Sequence, residues 1–203
     1  MIKLYDIERS GNCYKARLML SLLGLNYEKV PVDLSAGEQK LPDFLEVNPL
    51  GNIPVLDDNG VIIRDSAAIL VYLASKYGQG KWYPKSPKGM GKIQQWLAVS
   101  SNEVFHGLAI PRAIKLGIRE GNYEAGKIIG EKVLKLLEQR LGPEEWLVAG
   151  KPSVADVAVY PYVAMCPQGG FSLDSNLAVR KWIRRVEGLE GFLPLPQPPA
   201  RKA

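Results

Sequence analysis

Cysteine and histidine are scarce in this chain of 203 residues, which contains two cysteines and one histidine. There is no CxxC motif and no cluster of cysteine with histidine, so the sequence disfavours both a disulfide framework and a metal site. No run reaches the roughly 18 apolar residues that a membrane span requires, and no long apolar stretch follows the first basic residue. We therefore expect a cytoplasmic protein with no metal and no membrane partner.

The composition has no strong bias in any other direction. Apolar residues make up 46% of the chain and charged residues 23%, which is typical of a globular protein that buries its own core. The net charge is +5, but most basic residues are scattered. The densest basic group has the spacing of a solvated helix face: Arg180, Lys181, Arg184 and Arg185. We expect no nucleic-acid partner.

Strand and helix patterns alternate over residues 1–78. Ile2 and Leu4 alternate with less apolar residues as in a strand, and the apolar run that ends at Gly24 predicts a buried helix. A second strand and a short helix follow. Two apolar stretches then flank the turn-rich residues 57–60, which predicts a hairpin. A helix beginning at Ser66 completes the order βαβαββα, which is that of an α/β thioredoxin-like domain.

The remainder of the chain is predicted to be helical. Residues 79–90 are rich in glycine with some proline and predict a linker, and residues 91–203 predict an all-α bundle domain. Pro111 is expected to kink or end the first long helix of this bundle. Ser153 and Asp156 predict a capping arrangement before an apolar helix, and the final segment FLPLPQPPARKA is proline-rich and expected to be extended or mobile.

Ser10 and Asn12 are candidate catalytic residues because they lie where the first strand meets the first helix. Unpaired amides and the helix dipole favour negative charge at such a helix start, so a thiolate would be stabilised there. The serine hydroxyl can donate a hydrogen bond to that sulfur, and the Asn12 amide can do the same. The alternatives are that Ser10 only caps the helix and that Asn12 is an exposed first-turn residue. Cys13 is expected to be buried rather than redox-active.

Two further segments have the pattern of a peptide-binding site. Pro54 precedes a predicted strand, where a cis bond would leave the backbone of Ile53 free to pair with an extended peptide; an ordinary trans turn proline is the alternative. At the next helix start, Ser66 and backbone amides can bind a carboxylate while Asp65 pairs with an ammonium group. Together these segments predict recognition of a small zwitterionic peptide.

Four segments in this order resemble the cytosolic glutathione transferase family, over essentially the full length of the chain: SGNCYKARLML, NPLGNIPVL, RDSAAILVYL and SVADVAVYP. They are similar to the family's active-site turn, cis-proline strand, glutathione-binding helix start and capping motif. The first looks like the turn of bacterial and theta-like members. The resemblance implies a transferase that joins the glutathione thiolate to electrophilic small molecules, with glutathione as co-substrate, no bound cofactor and a homodimeric assembly.

The resemblance also implies roles for single residues. Ser10 would activate the sulfur, but related turns also use asparagine, so Ser10 and Asn12 stay open as alternatives. Gln39 and Asn52 would lie near the glycyl carboxylate, at positions where histidine and lysine are frequent. The rest of glutathione would be held by Ile53, Pro54, Asp65 and Ser66. The electrophile would lie against the first long helix of the bundle, at Phe105, His106 and Arg112.

Two other functions are compatible with the same residues. An activated glutathione thiolate can also reduce disulfides or peroxides, and a redox role of Cys13 would accompany that reaction. A non-catalytic protein could instead use the same fold to carry apolar ligands or to join a complex. The electrophile itself is left open, because its pocket is built from variable side chains.

Overall fold

The computed structural model describes residues 1–196, which form two compact units. The first unit comprises Met1–Gln79 together with residues 190–196, and the second comprises Gly80–Leu189. The sequence analysis instead assigned residues 190–196 to the helical domain. Residues 197–203 of the proline-rich segment lie outside the described residues.

A four-stranded sheet in the order β2-β1-β3-β4 forms the centre of the first unit. Strand β1 is parallel to β2 and antiparallel to β3, and β3 is antiparallel to β4. The elements are β1 (Ile2–Asp6), α1 (Gly11–Leu22), β2 (Tyr27–Pro31), α2 (Pro42–Val47), β3 (Val55–Asp58), β4 (Val61–Arg64) and α3 (Ser66–Tyr77). The predicted order βαβαββα and the thioredoxin-like class are therefore confirmed.

Burial explains why these segments form these elements. Along β1 the buried positions alternate with partly exposed ones, as in a strand with one face in the core. Helix α1 is buried from Cys13 to Leu20 and packs against α3. The chain after Glu190 joins this unit because the Ser21 hydroxyl of α1 donates to the Gly191 carbonyl at 2.7 Å.

The second unit is helical. Its helices are α4 (Pro87–Val99), α5 (Ile110–Lys115), α6 (Tyr123–Leu141), α7 (Val154–Ala164) and α8 (Leu177–Glu187), with a π-helical segment at Ser100–Ala109 and a 3₁₀ turn at Cys166–Gly169. Helix α4 begins inside the segment predicted as linker. Ser86 caps it by accepting a hydrogen bond from Gly89, and Pro87 occupies the first turn, where a missing N–H costs nothing.

Pro111 neither ends the long helix nor leaves it regular. The helical run continues to Lys115, but the turns before Pro111 are π-helical, and the Ile110 amide donates to the carbonyl of Phe105. The same segment packs very closely on α6 at a pair of glycines: a Cβ on Gly107 would lie 2.6 Å from the Gly130 nitrogen. A residue without a side chain is required where two helix backbones approach this closely.

Asp156 joins three parts of the helical unit. Its carboxylate accepts hydrogen bonds from the Ser153 amide at 3.0 Å, the Leu147 amide at 3.1 Å and the Trp182 indole at 2.9 Å. The predicted capping arrangement of Ser153 with Asp156 is thus confirmed, and it also anchors α8. Within residues 1–196, no helix has both the length and the apolar character that crossing a membrane requires.

Candidate active site

Three segments of the first unit meet at one end of its sheet, which we call the site end. Strand β1 finishes there and leads into the turn before α1. Tyr5 of β1 is opposite Val55 of β3, and Val55 is opposite Arg64 of β4. The residues just before Val55 and just after Arg64 therefore lie at the same end as the turn that carries Ser10. This register brings together the three segments that the sequence singled out.

Ser10 is the N-cap residue of α1. Its Oγ accepts a hydrogen bond from the Cys13 amide at 3.3 Å, and its carbonyl accepts from the Tyr14 amide at 2.9 Å. The predicted capping role is therefore present. It does not use the hydroxyl proton, because Oγ accepts in this contact and a hydroxyl carries its own donor. The cap therefore leaves the hydroxyl proton to donate either to the Cys13 sulfur, which lies within reach, or to a ligand.

Asn12 lies in the first turn of α1 and is partly exposed. Its side-chain amide forms no hydrogen bond within the described part of the chain, so it is available to a ligand. The first turn of α1 also contains no acidic residue, so no neighbouring carboxylate competes for the amides of that turn. Both residues keep the ability to stabilise an anion at this helix start.

Cys13 is fully buried. Burial raises the pKa of Cys13 to about 12, against the opposing effect of hydrogen bonds from Ser10 and Ile7. Reactive cysteines are partly exposed and have lowered pKa values, so Cys13 has the opposite environment. Cys166 is also free and buried. Among residues 1–196, no group of three or more potential metal ligands is placed to hold an ion.

Arg17 holds the turn that precedes Ser10, and sequence reasoning missed it. One guanidinium nitrogen donates to both carboxylate oxygens of Asp6 at 2.8 Å, and the other donates to the Glu8 carbonyl at 2.8 Å. The first nitrogen also reaches the carbonyl of Ile7 at 3.4 Å. A buried ion pair thus fixes the backbone directly before the candidate catalytic residue. The available signal was a charged residue inside the apolar run of α1.

The peptide bond between Ile53 and Pro54 is cis, as the resemblance implied. It lies directly before β3, at the site end of the sheet. In the described residues, no backbone hydrogen bond outside the regular elements involves Ile53. Its N–H and carbonyl are therefore available to an extended peptide laid along this edge.

Asp65 begins α3 in a strained backbone conformation, with φ 74° and ψ 135°. Its Oδ1 accepts hydrogen bonds from the amides of Ala67 at 2.8 Å and Ala68 at 3.2 Å. Such a conformation costs an L-residue about 1–3 kcal/mol and is concentrated at functional sites. Ser66 beside it is buried. The buried Lys15 of α1 is close enough for the Asp65 charge to oppose the effect of burial, which lowers the Lys15 pKa to about 8.

Gln39 and Lys40 lie against the loop that carries Asn52. A Cβ on Gly51 would lie 2.7 Å from the Gln39 carbonyl oxygen and 2.8 Å from Lys40 Nζ, and Gly51 has a positive φ of 59°. Only glycine fits there. Asn52 is exposed, and its backbone carbonyl accepts a hydrogen bond from the Asn48 side-chain amide at 2.6 Å. Lys40 is a cation beside this loop that the sequence analysis did not identify.

Of the predicted electrophile-binding residues, Phe105 and His106 contact each other edge-on, with ring centroids 5.4 Å apart. Phe105 packs edge-on against Tyr162, with ring centroids 6.4 Å apart, and Tyr162 also acts electrostatically on Arg112. His106 is exposed and lines a groove of about 420 Å³ with residues of the π-helical segment and α6: Asn102, Glu103, Ile129, Lys132, Val133 and Leu136. Phe105 therefore contacts both Tyr162, which lies near Arg112, and His106, which lines the groove.

A thioredoxin-like sheet with these three segments at one end, followed by an all-helical unit, defines the class of the protein as a two-domain thioredoxin-like fold. The family described as glutathione S-transferase, N-terminal domain, matches residues 1–75. The chain is 32% identical to glutathione S-transferase 3 of Zea mays over 221 aligned positions, covering 100% of this chain and 99% of the relative.

Two further relatives agree with this match. The chain is 30% identical to the maleylacetoacetate isomerase of Pseudomonas aeruginosa, over 89% of this chain and 88% of the relative. It is also similar to the crystal structure of a glutathione S-transferase from Xanthobacter autotrophicus, with a TM-score of 0.89 and 30% identity over 97% of both chains. The chain belongs to the glutathione S-transferase family, whose enzymes use glutathione as a substrate.

Proposed function

We propose that the chain conjugates glutathione to electrophilic small molecules, with the Ser10 hydroxyl donating a hydrogen bond to the thiolate. The observation that carries this proposal is the N-cap geometry of Ser10, whose Oγ accepts from the Cys13 amide and keeps its proton to donate. Lowering a thiol pKa by two units requires roughly 2.7 kcal/mol. One charge-assisted hydrogen bond together with the α1 terminus supplies an effect of that size. Asn12 is the alternative donor.

Glutathione is held along the site end of the sheet. The Ile53 backbone, next to Pro54, pairs with the cysteinyl unit, while Asp65 binds the ammonium group and Ser66 the carboxylate of the γ-glutamyl unit. Gln39 and Asn52 lie toward the glycyl end. Lys40 supplies the positive charge there, which offsets the absence of a lysine at position 52; its position against Gly51 supports this role.

The electrophile is bound by the helical unit, against Phe105, His106 and Arg112. Conjugation then needs thiolate stabilisation and proximity, and no group beyond glutathione itself. A detoxification role follows from this chemistry. Reduction of disulfides through Cys13 has no support in the geometry, because that thiol is buried with a pKa of about 12.

The protein also acts as a homodimer in the cytoplasm under this proposal. The exposed apolar side chains Ile128 and Leu136 on α6, the latter lining the groove of about 420 Å³, support an assembly through the helical unit. Two unpaired cysteines suit a reducing compartment. Sedimentation velocity distinguishes one copy from two, and a sharp monomer at all concentrations contradicts the dimer.

The experiment that tests the mechanism is the ultraviolet titration of bound glutathione thiolate in the parent and in Ser10→Ala and Asn12→Ala. We expect the parent to hold a thiolate well below the free thiol pKa of about 8.5 and Ser10→Ala to lose it. Ser86→Ala is the matched control, because it removes an equivalent cap from α4. Loss in Asn12→Ala alone assigns the role to Asn12, and failure to bind glutathione contradicts the proposed function.

The role of Lys40 is tested with glutathione and its glycyl ethyl ester. The parent should bind glutathione more tightly than the ester, and Lys40→Gln should lose most of that preference. Lys85→Gln, which removes an exposed charge elsewhere, should keep it. An equal preference in the parent and in Lys40→Gln contradicts this assignment.

A further inference from the structure

Arg112 of α5 is a nearly buried cation without a counter-ion. The residue is 5% exposed, and within residues 1–196 no carboxylate forms an ion pair with it. Its Nε donates to Oε1 of Gln168 at 2.7 Å, which is a neutral partner. Charged residues are almost never fully buried unless they are paired, because leaving a charge unpaired away from water is unfavourable. Something else must account for the position of this charge.

The two terminal nitrogens of Arg112 are open to a ligand. Neither donates a hydrogen bond to a group in the described part of the chain. Neither is sealed from solvent, because the buried side-chain atoms without a partner in this part are Gln39 Oε1 and Arg185 Nε. The guanidinium fork is therefore fixed at Nε and accessible at its tip. This is the geometry that matches a carboxylate in two parallel hydrogen bonds.

Tyr162 lies near this fork, close enough to act on the charge of Arg112, and Phe105 packs edge-on against Tyr162 at 6.4 Å. On the other side, the Arg112 backbone packs on the 3₁₀ turn Cys166–Gly169, where a Cβ on Gly169 would lie 3.0 Å from the Arg112 nitrogen. The arrangement pairs an apolar face with an open cationic fork. It suits a planar apolar molecule that carries one anionic group.

We propose that the helical unit selects electrophiles that carry a carboxylate, which the terminal nitrogens of Arg112 bind while the body of the molecule lies against Phe105 and Tyr162. This inference rests on the proposed conjugation function. With an aryl chloride, the glutathione sulfur forms a bond to the ring carbon and the carbon–chlorine bond breaks. Chloride leaves with the bonding electrons, and the thiol proton goes to solvent. Arg112 takes no part in these bonds and acts on specificity.

The test compares two substrates with the same reacting centre, 4-chloro-3,5-dinitrobenzoate and 4-chloro-3,5-dinitrobenzamide, with the full-length protein and glutathione. The kcat/KM of each is divided by its uncatalysed rate constant, so that intrinsic reactivity cancels. We expect the parent to favour the benzoate and Arg112→Gln to lower the benzoate-to-amide ratio by about tenfold to a hundredfold, mainly through KM. Arg112→Lys should keep part of the preference as a point charge, and Arg184→Gln, which removes an exposed arginine, should keep all of it.

The possible results distinguish a failure of this inference from a failure of the proposed conjugation function. Turnover of both substrates with a ratio that Arg112→Gln leaves unchanged overturns the inference and leaves conjugation intact. A parent that turns over neither substrate overturns both. If Arg112→Gln does not fold, inhibition of the parent replaces it: 3,5-dinitrobenzoate should compete with the electrophile much better than 3,5-dinitrobenzamide does. Equal inhibition by the two overturns the inference.

Discussion

Two buried arginines, one in each unit, have opposite surroundings. Arg17 contacts both oxygens of Asp6 at 2.8 Å and the carbonyl of Glu8. Arg112 is buried to a similar degree, but its one hydrogen bond to a described residue goes to the neutral Gln168. Both residues are almost entirely buried, but only Arg17 has a carboxylate and backbone carbonyls as partners.

Arg17 therefore has a structural role, whereas Arg112 has the binding role that we propose. Arg17 has its counter-ion inside the fold, so its effect is to fix the backbone before Ser10. Arg112 has no described counter-ion, so its charge is available to an anion from outside. A buried charge is therefore informative about binding only after its partners have been counted.

The largest effect is expected from breaking the Arg17 pair. Arg17→Met leaves the buried Asp6 carboxylate unpaired, apart from the partly exposed Lys29 at 3.3 Å, and should lower the free energy of unfolding by about 3–5 kcal/mol. Urea unfolding followed by circular dichroism measures this. Arg184→Met, at an exposed position, should change stability by less than about 0.5 kcal/mol.

The double variant sharpens that prediction. Asp6→Asn combined with Arg17→Met removes both charges, so it should be more stable than Arg17→Met alone. Losses that simply add in the double variant contradict an ion pair as the cause.

Arg17→Lys keeps the charge but not the forked geometry, so it should retain more stability than Arg17→Met. Because the turn before Ser10 is held less firmly in this variant, the pKa of bound glutathione should rise.

Lys15 is a third buried cation, and its burial should make the free energy of unfolding depend on pH. Burial lowers its pKa from 10.5 to about 8, with Asp65 opposing the shift. The folded state therefore binds fewer protons than the unfolded state between these values, and stability from this group rises with pH across that window. The parent should gain up to about 3 kcal/mol relative to Lys15→Met between pH 8 and 10.5.

The measurement is urea unfolding of the parent and Lys15→Met at several pH values from neutral to alkaline. The variant lacks this titration, so the difference between the two curves isolates Lys15. A difference that stays constant with pH, or that changes in the other direction, contradicts the expected proton uptake on unfolding.

The first unit could be predicted from sequence to a large extent because its signals are local. The alternation in β1 and the turn-rich residues 57–60 were visible as patterns, and the structure joins β3 to β4 there, although Asp57 and Asp58 belong to β3 and the turn itself is Asn59 and Gly60. The start of α4 was also readable, because Ser86 and Pro87 are an N-cap pair. The glycine content of residues 79–90 predicts a linker there, but the N-cap pair Ser86 and Pro87 indicates the helix that the structure has.

The rest depended on contacts between distant residues. Arg17 and Asp6 are eleven positions apart, and their pairing requires α1 to pack over the end of β1. The π-helical turns before Pro111 coincide with the close approach of Gly107 and Gly130, which no local pattern reveals. The contacts of Phe105 with both His106 and Tyr162 depend on this helix geometry. The sequence therefore predicted the segments that meet at the site end, but not the contacts between individual side chains.

A smaller effect on stability is expected when Arg112 is replaced. Arg112→Gln removes a cation without a described counter-ion, so no buried charge is left unpaired, in contrast to Arg17→Met. The free energy of unfolding should change by about 1 kcal/mol or less, in either direction. Urea unfolding under the same conditions allows a direct comparison. A loss of the size expected for Arg17→Met contradicts the view that Arg112 has no structural partner.

The smallest effect on activity is expected at Cys13, whose buried thiol stays neutral. Its pKa of about 12 keeps it a thiol at the pH of any conjugation experiment, so it adds no charge beside Ser10. Cys13→Ala should lose some stability through the small cavity it leaves, yet kcat/KM for conjugation should stay within about twofold of the parent, since surface and charge at the helix start are unchanged. Steady-state kinetics with glutathione and the dinitrobenzamide measure this.

The native protein should also resist modification by a thiol reagent until it unfolds. Rapid modification together with a large loss of kcat/KM contradicts the buried, neutral state and indicates that Cys13 takes part in the reaction.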